Sequence, residues 1–157
     1  MIEMEIPGFG EIRLKSLVMD YNGTLAVGGQ LLPGVAERLQ VLSSHLSLFV
    51  VTADTFGTAK DQLRNLPVEV VVLQGAESQT KAKRAFVRKL DAKQVAAIGN
   101  GRNDRLMLAD ARVGVTVILQ EGASPQTLGV ANIVVTEIGD ALDLFLHPLR
   151  LKATLRG

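Results

Sequence analysis

Short apolar runs that each end in a polar or glycine residue constrain the fold of this chain more than any other feature. Residues 17–19 lead into Asp20, residues 46–51 lead into Thr52, and residues 95–98 lead into Gly99. Apolar runs of this length are typical of buried strands, and the segments between them carry helical spacing. Strands that alternate with helices predict a three-layer, Rossmann-like α/β fold, with a mostly parallel sheet covered by helices on both faces.

The same patterns place the remaining elements. Residues 1–15 alternate polar and apolar positions around a Pro-Gly-Phe-Gly turn, which predicts an N-terminal hairpin, and residues 26–32 predict a small flap. We expect strands over 16–20, 46–51, 68–73, 95–98, 113–118 and 132–135. We expect helices from Pro33 and over about 55–65, 78–90, 103–110 and 137–146, with Pro148 as a stop followed by no more than a turn of helix.

Composition narrows the class of protein. The chain has 157 residues, which fits one domain over 1–157, and 47% of them are hydrophobic. A net charge of +1 gives no electrostatic reason to expect nucleic acid or an anionic membrane as the partner. Cysteine is absent, and the first residues lack the pattern of a signal peptide, so the expectation is a cytoplasmic protein.

Polar side chains of complementary chemistry follow the predicted strands. Asp20 ends the first, Thr52 the second, and Asp104 lies in a glycine-rich turn after the fourth, with lysines early in the helix that precedes that strand. Carboxyl ends of parallel strands share one edge of a sheet, where α/β proteins bind ligands. A carboxylate can attack phosphorus, a hydroxyl and an ammonium group can bind phosphoryl oxygens, and a second carboxylate can hold Mg²⁺. The pattern therefore indicates phosphoryl transfer.

The same segments resemble the haloacid dehalogenase-like superfamily and, within it, the phosphorylation domain of P-type ATPases. Asp20-Tyr-Asn-Gly-Thr-Leu25 is similar to the ATPase pattern Asp-Lys-Thr-Gly-Thr-Leu, and Thr52-Ala-Asp54 is similar to its Thr-Gly-Asp segment. Gly99-Asn-Gly-Arg-Asn-Asp104 is similar to Gly-Asp-Gly-X-Asn-Asp. The resemblance covers about residues 16–145.

This resemblance implies a role for each matching position. It implies that Asp20 forms an aspartyl-phosphate and that Mg²⁺ is the cofactor. The implied metal ligands are Asp20, the backbone carbonyl of Asn22, Asp104 and Asn100. The implied phosphate-binding residues are Thr52, Lys83, Asn103 and Gly23, and Lys83 fits the motif spacing better than Lys81 does.

Two positions depart from the pattern. Soluble phosphatases of the superfamily usually carry an aspartate general acid and base where this chain has Asn22, and an amide cannot shuttle a proton. Loss of acid–base assistance predicts slow turnover and a long-lived aspartyl-phosphate. Asn100 replaces an aspartate of the metal site, which predicts weaker metal binding.

Only 31 residues separate Asp20 from Thr52, which leaves no room for a cap domain there. The resemblance then implies a capless core that assembles as a homo-oligomer and acts on a phosphorylated small molecule or macromolecule. The alternative is a non-enzymatic module that responds to phosphate or metal on a degenerate core.

Two neighbouring residues stay open at this stage. Tyr21 could contact a substrate or a neighbouring subunit, or be a surface aromatic. Asp54 could act in the site or cap a helix.

Overall fold

A single parallel sheet forms the centre of the fold. The computed structural model describes residues 1–54, 57–73, 75 and 78–157. The strands are β1 (Ile2–Ile6), β2 (Gly10–Leu14), β3 (Ser16–Met19), β4 (Ala26–Val27), β5 (Gln30–Leu31), β6 (Ser47–Thr52), β7 (Glu69–Val72), β8 (Val95–Gly99), β9 (Val113–Val117) and β10 (Ile133–Val135). The α-helices are α1 (Val35–Leu42), α2 (Thr58–Leu63), α3 (Gln79–Lys89), α4 (Arg105–Asp110), α5 (Pro125–Val130), α6 (Ile138–Leu146) and α7 (Pro148–Leu155). Short 3-10 turns precede β8 and α4.

The order of the strands places a crevice beside β3. Within the described residues, six strands pair in the order β10-β9-β8-β3-β6-β7, and every pairing is parallel. The chain winds from β3 outward through β6 and β7, then crosses to β8 and winds the other way. Open α/β sheets bind ligands outside the carboxyl ends of the strands at such a reversal. The prediction of a mostly parallel sheet with helices on both faces is confirmed.

Alternate residues of β3 face opposite sides of the sheet, as the pleat requires. Leu17 and Met19 join a cluster that includes Leu39 of α1 and Phe145 of α6. Val18 joins the second cluster, on the other face, with residues of α3 and α4. Because both faces are covered, all four residues of β3 are buried, and the strand holds the residue that follows it in a fixed position.

The predicted hairpin and flap are both present. Strands β1 and β2 pair in antiparallel fashion, and so do β4 and β5. Gly28 and Gly29 form the turn of the flap with φ of +59° and +79°, which suits a tight two-residue hairpin turn. The Tyr21 hydroxyl donates a hydrogen bond to the Gly29 carbonyl at 2.9 Å, and this bond fastens the flap to the loop after β3.

Three helical regions differ from the sequence expectation. Helix α5 was not predicted, because its six residues include a glycine and bury only Thr127. Pro148 was expected to be followed by no more than a turn of helix, but it begins α7, a helix of eight residues, because proline is tolerated in the first turn. Leu151 is the buried residue of this helix. The helix expected over 55–65 is observed as Thr58–Leu63, while positions 55 and 56 lie outside the described residues.

The described residues contain no helix with the length and apolar character needed to cross a membrane.

Candidate active site

Asp20 lies at the carboxyl end of the central strand. Its N–H donates to the carbonyl of Ile98 at 3.0 Å, so the pairing of β3 with β8 continues to this residue. Only 8% of Asp20 is exposed. A carboxylate this deeply buried needs partners, because an unpaired buried charge is costly.

Lys83 supplies that partner and joins two predicted site residues. Its Nζ lies 2.6 Å from Asp20 Oδ1 and 2.7 Å from Asp104 Oδ1. Lys83 lies on α3 and is 1% exposed, whereas Lys81 on the same helix is exposed. The helix phase therefore places Lys83, and not Lys81, between the two carboxylates.

This cluster shifts the pKa values of Asp20 and Lys83. Burial and the nearby Asp104 carboxylate raise the pKa of Asp20 to about 6, although the Lys83 ammonium opposes them. Burial lowers the pKa of Lys83, but Asp20 and Asp104 outweigh that effect, so the pKa is raised overall. Lys83 is therefore a cation at neutral pH, and its ammonium group can bind an oxygen of an anionic phosphoryl group.

Backbone donors of the glycine-rich turn hold Asp104. Its Oδ2 accepts hydrogen bonds from the N–H groups of Asn100 and Gly101, each at 3.0 Å. A Cβ on Gly99 would lie 2.6 Å from Asp104 Cγ, so no larger residue fits there without displacing the carboxylate. The turn therefore fixes the Asp104 side chain toward Lys83.

Asn100 links three loops through its amide. Its Oδ1 accepts a hydrogen bond from Thr24 Oγ1 at 3.2 Å, and its Nδ2 donates to the Gly122 carbonyl at 3.1 Å. Thr24 Oγ1 also lies 3.4 Å from Asp20 Oδ2. Thr24 belongs to the segment that follows Asp20, and the sequence alone predicted no role for it.

All of the predicted site residues except Gly23 and Asp104 line one cleft of about 210 Å³. Its walls are formed by Asp20, Asn22, Thr52, Ala53, Gln79, Lys83, Asn100, Gly101, Asn103 and Glu121. Asn22 and Asn103 are exposed at its mouth, while Thr52 is buried at the end of β6. Gly23 follows Asn22 with φ of +77°, a conformation that favours glycine. The structure thus gathers the predicted residues at one edge of the sheet.

Two residues of the cleft were missed from the sequence. Gln79 lies at the start of α3 and donates to the Leu73 carbonyl at 3.0 Å, and in the described part of the chain its buried Oε1 has no hydrogen-bond partner. Glu121 belongs to the loop after β9, in which the sequence shows no motif. Neither residue belongs to a motif of recognisable spacing. Gln79 reaches the cleft because of how α3 packs on the sheet, and Glu121 because of how the loop after β9 folds.

Two open assignments are decided by contacts. Tyr21 is 1% exposed and its hydroxyl is bonded within the flap, so it is neither a surface aromatic nor free to contact a substrate. The Asp54 carboxylate accepts from the N–H groups of Ala59 and Lys60 at 2.8 and 3.2 Å, so it caps the start of α2.

The donor set suits a hard divalent cation that keeps several waters. Two carboxylates, Asp20 and Asp104, converge beside the Asn100 amide and the Asn22 segment, and all of these offer oxygen atoms. Among the residues that the structure describes, no group of three His, Cys, Asp or Glu side chains forms a metal cluster. Mg²⁺ commonly binds through one or two carboxylates and water, so this set fits it.

Comparison with known proteins gives relatives of two kinds. No protein-family model matches the chain. An uncharacterised protein of Methanocaldococcus jannaschii is 53% identical over 64 residues, which are 41% of this chain and 69% of that protein. A probable copper-transporting ATPase of Arabidopsis thaliana is 32% identical over 107 residues, which are 66% of this chain but only 10% of the ATPase.

Solved structures share the fold at lower identity. A 3-deoxy-D-manno-octulosonate 8-phosphate phosphatase from Moraxella catarrhalis, solved with magnesium, phosphate and its sugar, superposes with a TM-score of 0.70. It is 19% identical, and the match covers 85% of this chain and 86% of that one. A protein from Legionella pneumophila, assigned as a hydrolase of the HAD superfamily, gives a TM-score of 0.71 at 16% identity over 90% of this chain and 87% of that one.

Proposed function

Because the chain has the fold of haloacid dehalogenase-like phosphatases and resembles part of a copper-transporting ATPase, we propose that it is a Mg²⁺-dependent phosphatase or phosphotransferase of this superfamily that acts through Asp20. The observation that carries this proposal is the bridge of Lys83 between Asp20 and Asp104 at the point where the strand order reverses. A purely structural ion pair would not require a cleft above it lined by oxygen and amide groups.

In the proposed reaction, a carboxylate oxygen of Asp20 attacks the phosphorus atom of a phosphate ester. The bond from phosphorus to the leaving oxygen breaks, and an aspartyl-phosphate forms. Lys83 and the Thr52 hydroxyl bind the phosphoryl oxygens on which negative charge accumulates. Asn103 lines the same cleft, whereas the Gly23 N–H donates to the Ala26 carbonyl at 2.8 Å. Water then attacks phosphorus, phosphate leaves, and the Asp20 carboxylate is regenerated.

Asp20, Asp104, the Asn22 carbonyl and Asn100 would hold Mg²⁺, which when bound would neutralise charge on a phosphoryl oxygen. Asn22 cannot transfer a proton, so the aspartyl-phosphate hydrolyses slowly unless another residue of the chain supplies that step.

The proposed substrate is a phosphorylated small molecule. The similar structure from Moraxella catarrhalis is a phosphatase of a sugar-acid phosphate, which supports this class. Asn22 and Asn103, at the mouth of the cleft, are exposed in the single chain. We expect a homo-oligomer to complete the pocket, and light scattering after size-exclusion chromatography tests this.

A phosphate-release screen over phosphorylated metabolites with Mg²⁺ tests the proposal. We expect turnover of at least one phosphate ester, abolished in Asp20→Asn and by chelation of the metal. The alternative is a module that binds phosphate or metal without turnover. Asn22 and Asn100, which stand where the family pattern has aspartate, favour this alternative. Release that persists in Asp20→Asn contradicts the enzyme proposal, and binding of phosphate without any release favours the module.

A further inference from the structure

Glu121 brings a third carboxylate to the cleft from a part of the chain that no motif covers. It lies in the loop of residues 118–124, between β9 and α5, and is an exposed residue on the wall of the cleft that contains Asp20. In the described part of the chain, no hydrogen bond or ion pair engages its carboxylate. Most exposed glutamates are simply solvated, and the position of Glu121 beside the cleft distinguishes it from them.

The carboxylate of Glu121 lies where the sequence lacks a proton-transfer group. A Cβ built on Gly23 would lie 2.6 Å from Glu121 Oε2, so this oxygen packs directly over Gly23. Gly23 follows Asn22, the position at which an aspartate general acid and base is missing. A residue almost 100 positions away in the chain therefore presents a carboxylate beside Asn22.

Asn100 holds the 118–124 loop in this position. The side-chain Nδ2 of Asn100 donates to the Gly122 carbonyl at 3.1 Å. The backbone carbonyl of Asn100 accepts a hydrogen bond from the Ser124 N–H at 2.9 Å. An aspartate at position 100 could not donate to Gly122, and it would place a negative charge near the Glu121 carboxylate. The second departure from the motif is thus the residue that fastens the loop carrying Glu121.

We propose that Glu121 is the general acid and base of this site and replaces the aspartate that Asn22 lacks; this inference rests on the proposed function. In the first step Asp20 attacks phosphorus, the bond to the leaving oxygen breaks, and that oxygen takes a proton from the Glu121 carboxyl. In the second step the Glu121 carboxylate takes a proton from water as the water oxygen bonds to phosphorus. The bond to Asp20 breaks, its electron pair returns to the carboxylate, and Glu121 is protonated for the next cycle.

The two departures from the motif then have one explanation. Asn22 leaves space and no competing charge beside Gly23, and Asn100 donates to the loop that delivers the carboxylate. Either asparagine alone, in place of the usual aspartate, would weaken a standard site. The two asparagines together are compatible with a carboxylate supplied by the 118–124 loop.

The test compares four variants with the wild type on an alkyl phosphate and an aryl phosphate in Mg²⁺. Glu121→Gln removes the proton-transfer group without changing size, and Glu137→Gln is the matched control, an exposed glutamate on a neighbouring cleft. Asp20→Asn reports the proposed function itself, and Asn22→Asp combined with Glu121→Gln is the rescue. Turnover, KM and the acid-stable phosphoenzyme are measured for each protein.

We expect Glu121→Gln to lower turnover of the alkyl phosphate by roughly 10²–10⁴-fold, the usual range for acid–base assistance. With an aryl phosphate, whose leaving group needs no proton, the phosphoenzyme should accumulate and KM should fall, because hydrolysis of the intermediate loses its base. Asn22→Asp should restore turnover in the double variant, and Glu137→Gln should behave as the wild type. A merely structural role for Glu121 would give neither phosphoenzyme accumulation nor this rescue.

Two results would overturn the inference. If turnover depends on Asp20 but Glu121→Gln stays within about two-fold of the wild type, the function stands and Glu121 is not the acid and base. If the wild type gives no turnover that Asp20→Asn abolishes, the proposed function fails and the inference fails with it.

Discussion

Replacing Lys83 by methionine should destabilise the protein strongly and in a pH-dependent way. Methionine keeps most of the volume of lysine but removes the ammonium group that lies 2.6 and 2.7 Å from the two carboxylates. Those two oxygens then lie at most about 5.3 Å apart, the sum of the two distances, with no cation between them, and two unit charges at that distance repel by about 3 kcal/mol at an effective dielectric constant near 20. This figure agrees with the roughly 3–5 kcal/mol measured when one partner of a buried ion pair is removed.

The pH dependence follows from the pKa of Asp20. In the wild type that pKa is about 6, above its unfolded value of 3.8, so the folded state binds more protons than the unfolded state between these values. Stability contributed by this group therefore rises as pH falls from 6 toward 4. Without Lys83 the pKa of Asp20 rises further, because the lysine lowers it in the wild type. On acidification, the free energy of unfolding of the variant should therefore begin to increase at a higher pH than that of the wild type, and it should increase more steeply.

Urea unfolding at pH 7.5 and pH 5, without divalent metal, measures both effects. We expect a loss of about 3 kcal/mol in Lys83→Met at the higher pH and a smaller loss at the lower pH. Lys81→Met is the control, since Lys81 is exposed on the same helix and should change stability little. A loss below about 1 kcal/mol, or an equal loss at both pH values, would refute the picture of two carboxylates held together by one buried cation.

Three further outcomes follow from other contacts. Arg38 donates to both carboxylate oxygens of Asp143, at 2.8 and 3.2 Å, and this hydrogen bonding lowers the pKa of Asp143 below 3.8. Asp143→Asn should therefore lower the free energy of unfolding by about 1 kcal/mol at pH 7. This difference from the wild type should shrink as pH falls through the lowered pKa of Asp143. Urea unfolding at several pH values measures it, and a difference that does not change with pH would show that the pair is unimportant. Tyr21→Phe should cost about 1 kcal/mol and speed hydrogen exchange in the flap, whereas unchanged exchange there would show that the hydroxyl does not fasten it. Both Asn-Gly pairs are candidates for deamidation, but Asn100 is buried with its amide bonded on both sides while Asn22 is exposed, so peptide mass spectrometry of aged protein should find the shift at Asn22 first.

Local pattern was sufficient for the strands and most helices. The buried strand before Asp20, the helical spacing of Val35, Leu39 and Leu42, and the strands on either side appear where periodicity placed them. These signals work because side-chain burial repeats every two residues in a strand and about every 3.6 in a helix. Periodicity did not predict α5, because a helix of six residues with one buried threonine is too short to show a repeating pattern of burial.

The sequence by itself determined that carboxylates and a hydroxyl follow strands that end at one edge of a parallel sheet, because strand direction and order follow from local pattern and the rules of chain connection. Only the tertiary structure decided that Lys83, 63 residues from Asp20, is the lysine between the carboxylates, and that Glu121 packs over Gly23. Helix phase against the sheet and the docking of a loop depend on contacts between residues far apart in the chain. Such contacts leave no periodic trace in one sequence, so they had to be seen in three dimensions.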